Sequence, residues 1–356
     1  MNLFVFFVRV YNFIEYLIGT FFQKIYMYYL GNQSKLDDMV LFLLPDHDLR
    51  AGGTLSIYFM LSETRKMYPN KMVLPVVLSK RQHLFHPRWI DNNFFVYNLK
   101  YLHKLFNKSN LILLHVPEYY YQTLSKDISE GNYDFKKVKI NILNQNAEYM
   151  PSHEVVQKYI SLYRCVTMTL AFKCNEDIDY PYLTSRAYHL GAWFYGRVDR
   201  LVPFEEKENL CIISPDEHPI KEAIVQLLES HGIKCFQFKS IRFDRFQKIQ
   251  ERAKWAISFG EGFDGYSSVE FRKGGVGFGV YSRFFFPKDF SEDNLPMSFF
   301  KTYEDMQNNI LSVMEYLNDK EHYEHYVMEM YNYLKKGASA ETISSRLQNY
   351  YNHELN

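Results

Sequence analysis

The run from Ser258 to Tyr281, SFGEGFDGYSSVEFRKGGVGFGVY, sets two carboxylates, Glu261 and Glu270, among closely spaced glycines. The order of residue types predicts a strand ending in Gly260-Glu261-Gly262 and a turn. A helix then starts near Gly265 to Ser267, and a glycine-bearing strand follows Gly274-Gly275. Such a turn suits a ligand that carries both phosphate and neighbouring hydroxyls. The N–H groups and positive dipole at a helix start attract a diphosphate, which makes Gly265, Tyr266 and Ser267 candidate contacts. Gly262, lacking Cβ, lets the backbone approach a ligand closely. A carboxylate can accept two hydrogen bonds from vicinal hydroxyls of a ribose or hexose.

The rest of the chain must position that run. Its 356 residues suit two domains of roughly 150 residues each. Apolar residues make up 47 %, enough for two cores. Lys plus Arg and Asp plus Glu are balanced at 41 each, so the basic excess of a nucleic-acid binder is absent and that class is disfavoured. The 30 Tyr and 30 Phe are read first as core packing. Cys165, Cys174, Cys211 and Cys235 form no CxxC pair and no metal spacing with His, so they read as free thiols.

From Met39 the pattern alternates between apolar β-rich runs and helical segments. Met39 to Leu44, Val73 to Leu78, Leu111 to Val116, Lys139 to Leu143 and Val166 to Phe172 read as strands. After a charged stretch from Arg197 to Asn209 the rhythm restarts, with strands at Leu210 to Ile213, Lys234 to Phe238, Trp255 to Phe259 and Val276 to Tyr281. The expected fold class is therefore α/β, with two Rossmann-like domains. The expected boundaries are 1–33 for an N-terminal helix, 34–200 and 201–330 for the two domains, and 331–356 for C-terminal helices. Ligands of such sheets bind beyond the carboxyl ends of strands, so the expected site is a crevice between the domains. His47 and His115 end strands on that side and are candidates for positioning an acceptor.

Residues 1–31 read as an amphipathic helix. Leu3, Phe6, Phe7, Val10, Ile14, Leu17, Ile18, Phe21 and Ile25 share one face, while Arg9, Asn12, Thr20 and Gln23 lie largely opposite. Arg9, Glu15 and Lys24 make it a poor membrane span, and no signal-peptide pattern is present. Two readings stay open: the stripe lies in a membrane interface, or it packs on the protein.

The Ser258–Tyr281 run resembles the EGFGLxxxE signature of retaining GT-B glycosyltransferases of the GT4 type. The form DGYxxE followed by GG and VY is similar to enzymes from bacterial capsule and O-antigen clusters. This sequence separates the two glutamates by nine positions where the family has eight, and places Asp264 where Gly is usual. The resemblance implies that the domains face each other across a cleft. It implies that Glu261 lies by the donor sugar in a catalytic role and that Glu270 holds the donor ribose; His47, from its place at a strand end, is the second catalytic candidate. Gly52 and Gly53, in the run DLRAGG, resemble the loop under the donor phosphates. ILNQNAEYMP, from Ile142, resembles an acceptor-side element and adds Asn144 and Glu148 to His115. The family's basic pair has no clean counterpart. Lys221 is the best-placed cation for a departing diphosphate, with Arg242, Arg245 and Lys273 as weaker candidates.

The implied activity is transfer of a sugar from a nucleotide-sugar donor to a hydroxyl of a growing, lipid-linked surface glycan, with retention. No cofactor and no metal are expected. Asp46-His47-Asp48 imitates the metal motif of the other glycosyltransferase fold but precedes any nucleotide-binding half-domain. The expected partners are the sugar nucleotide, a lipid-linked or oligosaccharide acceptor and the inner membrane leaflet, without nucleic acid, and the expected location is cytoplasmic and peripheral. The main alternative is a catalytically silent binding protein of the same fold. A sugar-nucleotide epimerase would cluster its acid and base residues, and a dehydrogenase would carry GxGxxG after a strand. Neither pattern is present.

Overall fold

The computed structural model describes residues 3–45, 52–78, 95–120, 138–145, 152–162, 166–171, 187–238, 241–283, 285–287 and 289–355. The chain is α/β and divides into two compact units. One gathers the described residues up to Tyr195 and again from Ile343 onward. The other spans Gly196–Thr342. The C-terminal stretch 331–356 is largely helical, and its helices divide between the two units. Its last helix belongs to the first unit and the one before it to the second, because their apolar faces complete different cores.

The first unit begins with helix α1 (Leu3–Gly31) and continues through β1 (Met39–Leu43), α2 (Gly52–Met67), β2 (Met72–Val77), β3 (Tyr97–Asn98) and α3 (Leu99–Leu102). β4 (Ile112–Pro117), β5 (Val138–Asn144), α4 (His153–Leu162), β6 (Val166–Leu170) and β7 (Ala187–His189) complete its order. The seven strands form one parallel sheet, ordered β3-β2-β1-β4-β5-β6-β7. β1 and β4 are buried at every position. Both faces of a parallel sheet are covered, so its central strands read as unbroken apolar runs.

The second unit runs through β8 (Glu208–Ile213), α5 (Lys221–Ser230), β9 (Lys234–Gln237), α6 (Phe243–Arg252), β10 (Ala253–Ile257), α7 (Ser267–Phe271) and β11 (Val276–Val280). It ends with β12 (Phe299–Phe300), α8 (Tyr303–Tyr316) and α9 (Lys320–Gly337). Its five parallel strands are ordered β12-β11-β10-β8-β9. Two parallel sheets of seven and five strands are compatible with two Rossmann-like domains. Cys211 and Cys235 are free and face each other in the β8–β9 register.

Many of the aromatic residues pack in cores. Trp255, Phe271, Phe278, Tyr323 and Tyr326 fill the second unit, with edge-to-face contacts such as Trp255–Tyr323 at 5.7 Å. In the first unit, the final helix α10 (Ala340–Glu354) inserts Leu347, Tyr350 and Tyr351 among β1, α2 and β4 residues.

Candidate functional site

The order of the five-stranded sheet reverses at β8. β9 lies on one side and β10 on the other, so the carboxyl ends of β8 and β10 form the switch point at which such sheets bind ligands. The two strand ends are joined there. Phe259 N donates to Ser214 Oγ at 2.9 Å, directly linking the residues that follow β10 and β8. Beyond Ser214 come Asp216, His218 and Lys221. Beyond Ser258 comes the glycine loop that carries Glu261 and Asp264.

Gly262 shapes that loop. Its φ is +75°, and an added Cβ would lie 2.0 Å from Val280 O, so only glycine fits. Asp264 ties the loop together. Its carboxylate accepts from Ser258 Oγ at 2.5 Å, from Tyr266 N at 2.8 Å and from Ser267 N at 3.1 Å. Burial pushes this carboxyl above its ordinary range. Hydrogen bonds from Ser258, Tyr266 and Ser267 hold it down in part, and the Asp216 charge adds a smaller upward push.

This geometry corrects the expectation of free N–H groups at the start of α7. The N–H groups of Tyr266 and Ser267 are already taken by Asp264, Ser267 Oγ donates to Gly262 O, and the Tyr266 ring packs on Phe238 and Phe246. Gly265 lies in the same closed turn. A short helix capped by its own carboxylate offers little to a diphosphate.

The larger correction concerns Glu270. It is fully buried, and its carboxylate points away from the switch point. A Cβ on Gly275, just before β11, would lie 2.2 Å from Glu270 Oε1, and Lys207, just before β8, stands 3.6 Å from the same atom. Both residues precede their strands, so the carboxylate lies at the amino ends. As placed, Glu270 cannot reach a ribose at the carboxyl ends. Neither carboxylate oxygen accepts a hydrogen bond among the described residues. Burial raises its pKa to about 8 against the opposing pull of Lys207 and Lys273. Lys273 is also withdrawn, donating to Val198 O and pairing with Glu251 at 3.3 Å. It is therefore no candidate for the diphosphate.

Lys221, the first residue of α5, is buried near the carboxyl end of β8. Its ammonium donates to Ser214 O and Asp216 O at 2.9 Å each, two of its three N–H bonds. Arg242 follows the edge strand β9 and pairs with Asp244 at 3.0 Å, and Arg245 is exposed on α6. Glu261 is half-buried in the loop.

Sequence reasoning missed an aromatic stack beside these residues. His218 lies on Tyr303 with ring centroids 3.7 Å apart, and the Tyr303 ring is nearly parallel to that of Phe259 at 6.0 Å. Tyr303 Oη donates to Phe259 O at 2.8 Å, fixing the stack to the end of β10. His218 and Tyr303 are partly exposed, so the stack presents a flat face of the kind that holds a base or sugar ring. The only sequence signal is a His three residues before Lys221. Tyr303 lies more than 80 positions from it and could be found only through the fold.

In the first unit, His115 is not available to an acceptor. It is fully buried in β4. Its Nδ1 lies 2.9 Å from Asn141 Nδ2, its Nε2 lies 3.2 Å from Tyr351 Oη, and its ring stacks on Phe42. Burial depresses its pKa to about 3, so the ring is neutral near pH 7 and accepts from Asn141. A base whose folded pKa is depressed contributes stability above its unfolded value near 6.5, and that stability is lost as pH falls toward 3. His115→Leu should cost about 1–3 kcal/mol at pH 7.5, because Asn141 and Tyr351 lose a buried partner. It should also flatten the acid limb of the stability profile. Urea titrations across pH test this, and an unchanged midpoint would exclude the network as a determinant of stability.

Asn144 is fully buried at the carboxyl end of β5. It lines a small cavity with Ser56, Gln145, Thr169 and Gly191, and its Oδ1 accepts no hydrogen bond among the described residues. Gly52 and Gly53 open α2, where Phe194 and Gln145 fill the space beside them. His47 and Glu148 lie outside the described residues. No cluster of His, Cys, Asp or Glu fit for a metal occurs among the described residues. No protein-family model matches the chain, and no curated protein matches it.

Proposed function

We propose that the protein is a GT-B-type glycosyltransferase that moves a sugar from a nucleotide donor to a hydroxyl of a growing surface glycan, with retention. One observation carries this reading. The glycine loop with Glu261 sits at the switch point of the five-stranded sheet, beside Lys221 and the His218–Tyr303 stack. In this reading the nucleoside lies on the stack, Lys221 faces the diphosphate, and Glu261 meets the donor sugar. Catalysis rests on positioning and on stabilising the departing charge. The acceptor is lipid-linked, and the enzyme works as a peripheral protein at the inner face of a bacterial cytoplasmic membrane.

A silent binding protein of the same fold would share the nucleotide site and lack turnover. The test is therefore twofold. A thermal-shift screen of UDP, GDP, dTDP and CMP should find one ligand that stabilises the fold, by about 2.7 kcal/mol when present at a hundredfold its Kd. The matching sugar nucleotide should then be consumed in the presence of a glycan acceptor. Stabilisation without consumption would leave the silent binder as the answer. No stabilisation by any nucleotide would remove both readings.

A further inference from the structure

Helix α1 packs on the protein along one side. Gly19, Gln23 and Leu30 are buried, Tyr26 packs on Tyr97 at 5.4 Å, and Lys108 closes the helix end by donating to Gly31 O and Gln33 O. The apolar stripe faces the other way. Phe13, Ile14, Leu17, Ile18, Phe21 and Ile25 are each 44–61 % exposed. At 3.6 residues per turn, the exposed apolar positions between Val10 and Tyr29 cover about half the helix circumference along about 30 Å.

We infer that α1 is an interfacial membrane anchor that lies flat, with this half-cylinder in the lipid headgroup and acyl boundary. Three features select lipid over a second protein chain. The apolar arc is far wider than the narrow seam by which one helix meets another, and a continuous medium covers such an arc without a shaped partner. Tyr11, Phe13, Phe21, Phe22, Tyr28 and Tyr29 are exposed, and aromatic rings, those with a polar tip above all, suit the membrane–water boundary. Exposed Lys24 stands at the margin of the arc, where a cation meets anionic headgroups. Among the described residues no helix is long and apolar enough to cross a membrane, which leaves the flat orientation. The inference rests on α1 alone and is independent of the sugar-transfer reading.

The test is flotation of the full chain with phosphatidylcholine vesicles, with and without phosphatidylglycerol. The unaltered protein should float, and more strongly with the anionic lipid. Leu17→Glu with Phe21→Glu should weaken vesicle partitioning at least about tenfold, since two large side chains leave the apolar phase. The melting temperature should not change, because both positions are exposed. Phe21→Leu should still float, which separates the loss of apolar surface from damage to the helix. An unaltered protein that stays at the bottom overturns the inference, as does a double variant that floats equally well. Sedimentation without vesicles provides a further check. A dimer that the double variant dissolves would assign the face to a second copy and overturn the membrane reading.

Discussion

Glu261→Ala is expected to lower sugar transfer by about a hundredfold to a thousandfold, the usual loss when a group aimed at the transition state is removed. Nucleoside diphosphate affinity should remain within about twofold, because the partner assigned to Glu261 is the sugar and the diphosphate lacks one. Glu261 is half-buried, whereas the loop is held by Asp264 and by the close fit of Gly262 against Val280. Steady-state turnover and calorimetry on the same preparation separate the two quantities. Turnover at the wild-type level would remove Glu261 from the reaction, and a parallel loss of diphosphate affinity would move it from the sugar to the phosphates.

Glu270→Gln is expected to stabilise the second unit at pH 8 and to do little near pH 4.5. The buried carboxyl has its pKa raised from 4.5 to about 8. An acid with a raised folded pKa contributes stability that is fully present below its unfolded value and lost as pH climbs through the folded one. Each unit of displacement corresponds to about 1.4 kcal/mol, so the unaltered protein gives up a few kcal/mol between those limits. Glutamine keeps the shape of the protonated acid and carries no charge to desolvate. Burial also pushes the pKa of Lys207 down, against the opposing pull of the Glu270 charge. Urea titrations at several pH values measure the difference. A variant that is less stable at pH 8 would mean that the Glu270–Lys207 pair is ionised and favourable. Diphosphate affinity should stay unchanged, since the carboxylate lies at the amino ends of β8 and β11. A loss of about 1.5–3 kcal/mol there would return Glu270 to the ribose.

These two glutamates mark the boundary of what could be read in advance. Both lie in one glycine-rich run, and the strand, turn, helix and strand it encodes all form. Separated by nine positions, they could not be told apart by local pattern. On a helix one residue more or less turns a side chain by about 100°, enough to exchange a ligand for a buried lysine. His115 shows the same limit. That it lies in a strand was legible, although the strand runs on past it to Pro117, whereas its packing against Tyr351, 236 positions away, was not. Strands β3, β7 and β12 have two or three residues each, too few for a periodic signal, and only pairing with their neighbours defines them.

The sequence by itself determined the α/β class, the restart of the strand–helix rhythm in a second unit, and the existence of an apolar stripe on α1. Each follows from local periodicity, because a buried parallel strand needs an unbroken apolar run and a half-covered helix needs a 3.6-residue repeat. The tertiary structure alone decided that the stripe faces outward, that α10 returns to the first core, and that His218, Tyr303, Lys221 and the Glu261 loop meet at one sheet edge. Directions and long-range meetings are set by which surfaces bury together. That is a property of the whole packed chain, which no window of sequence contains.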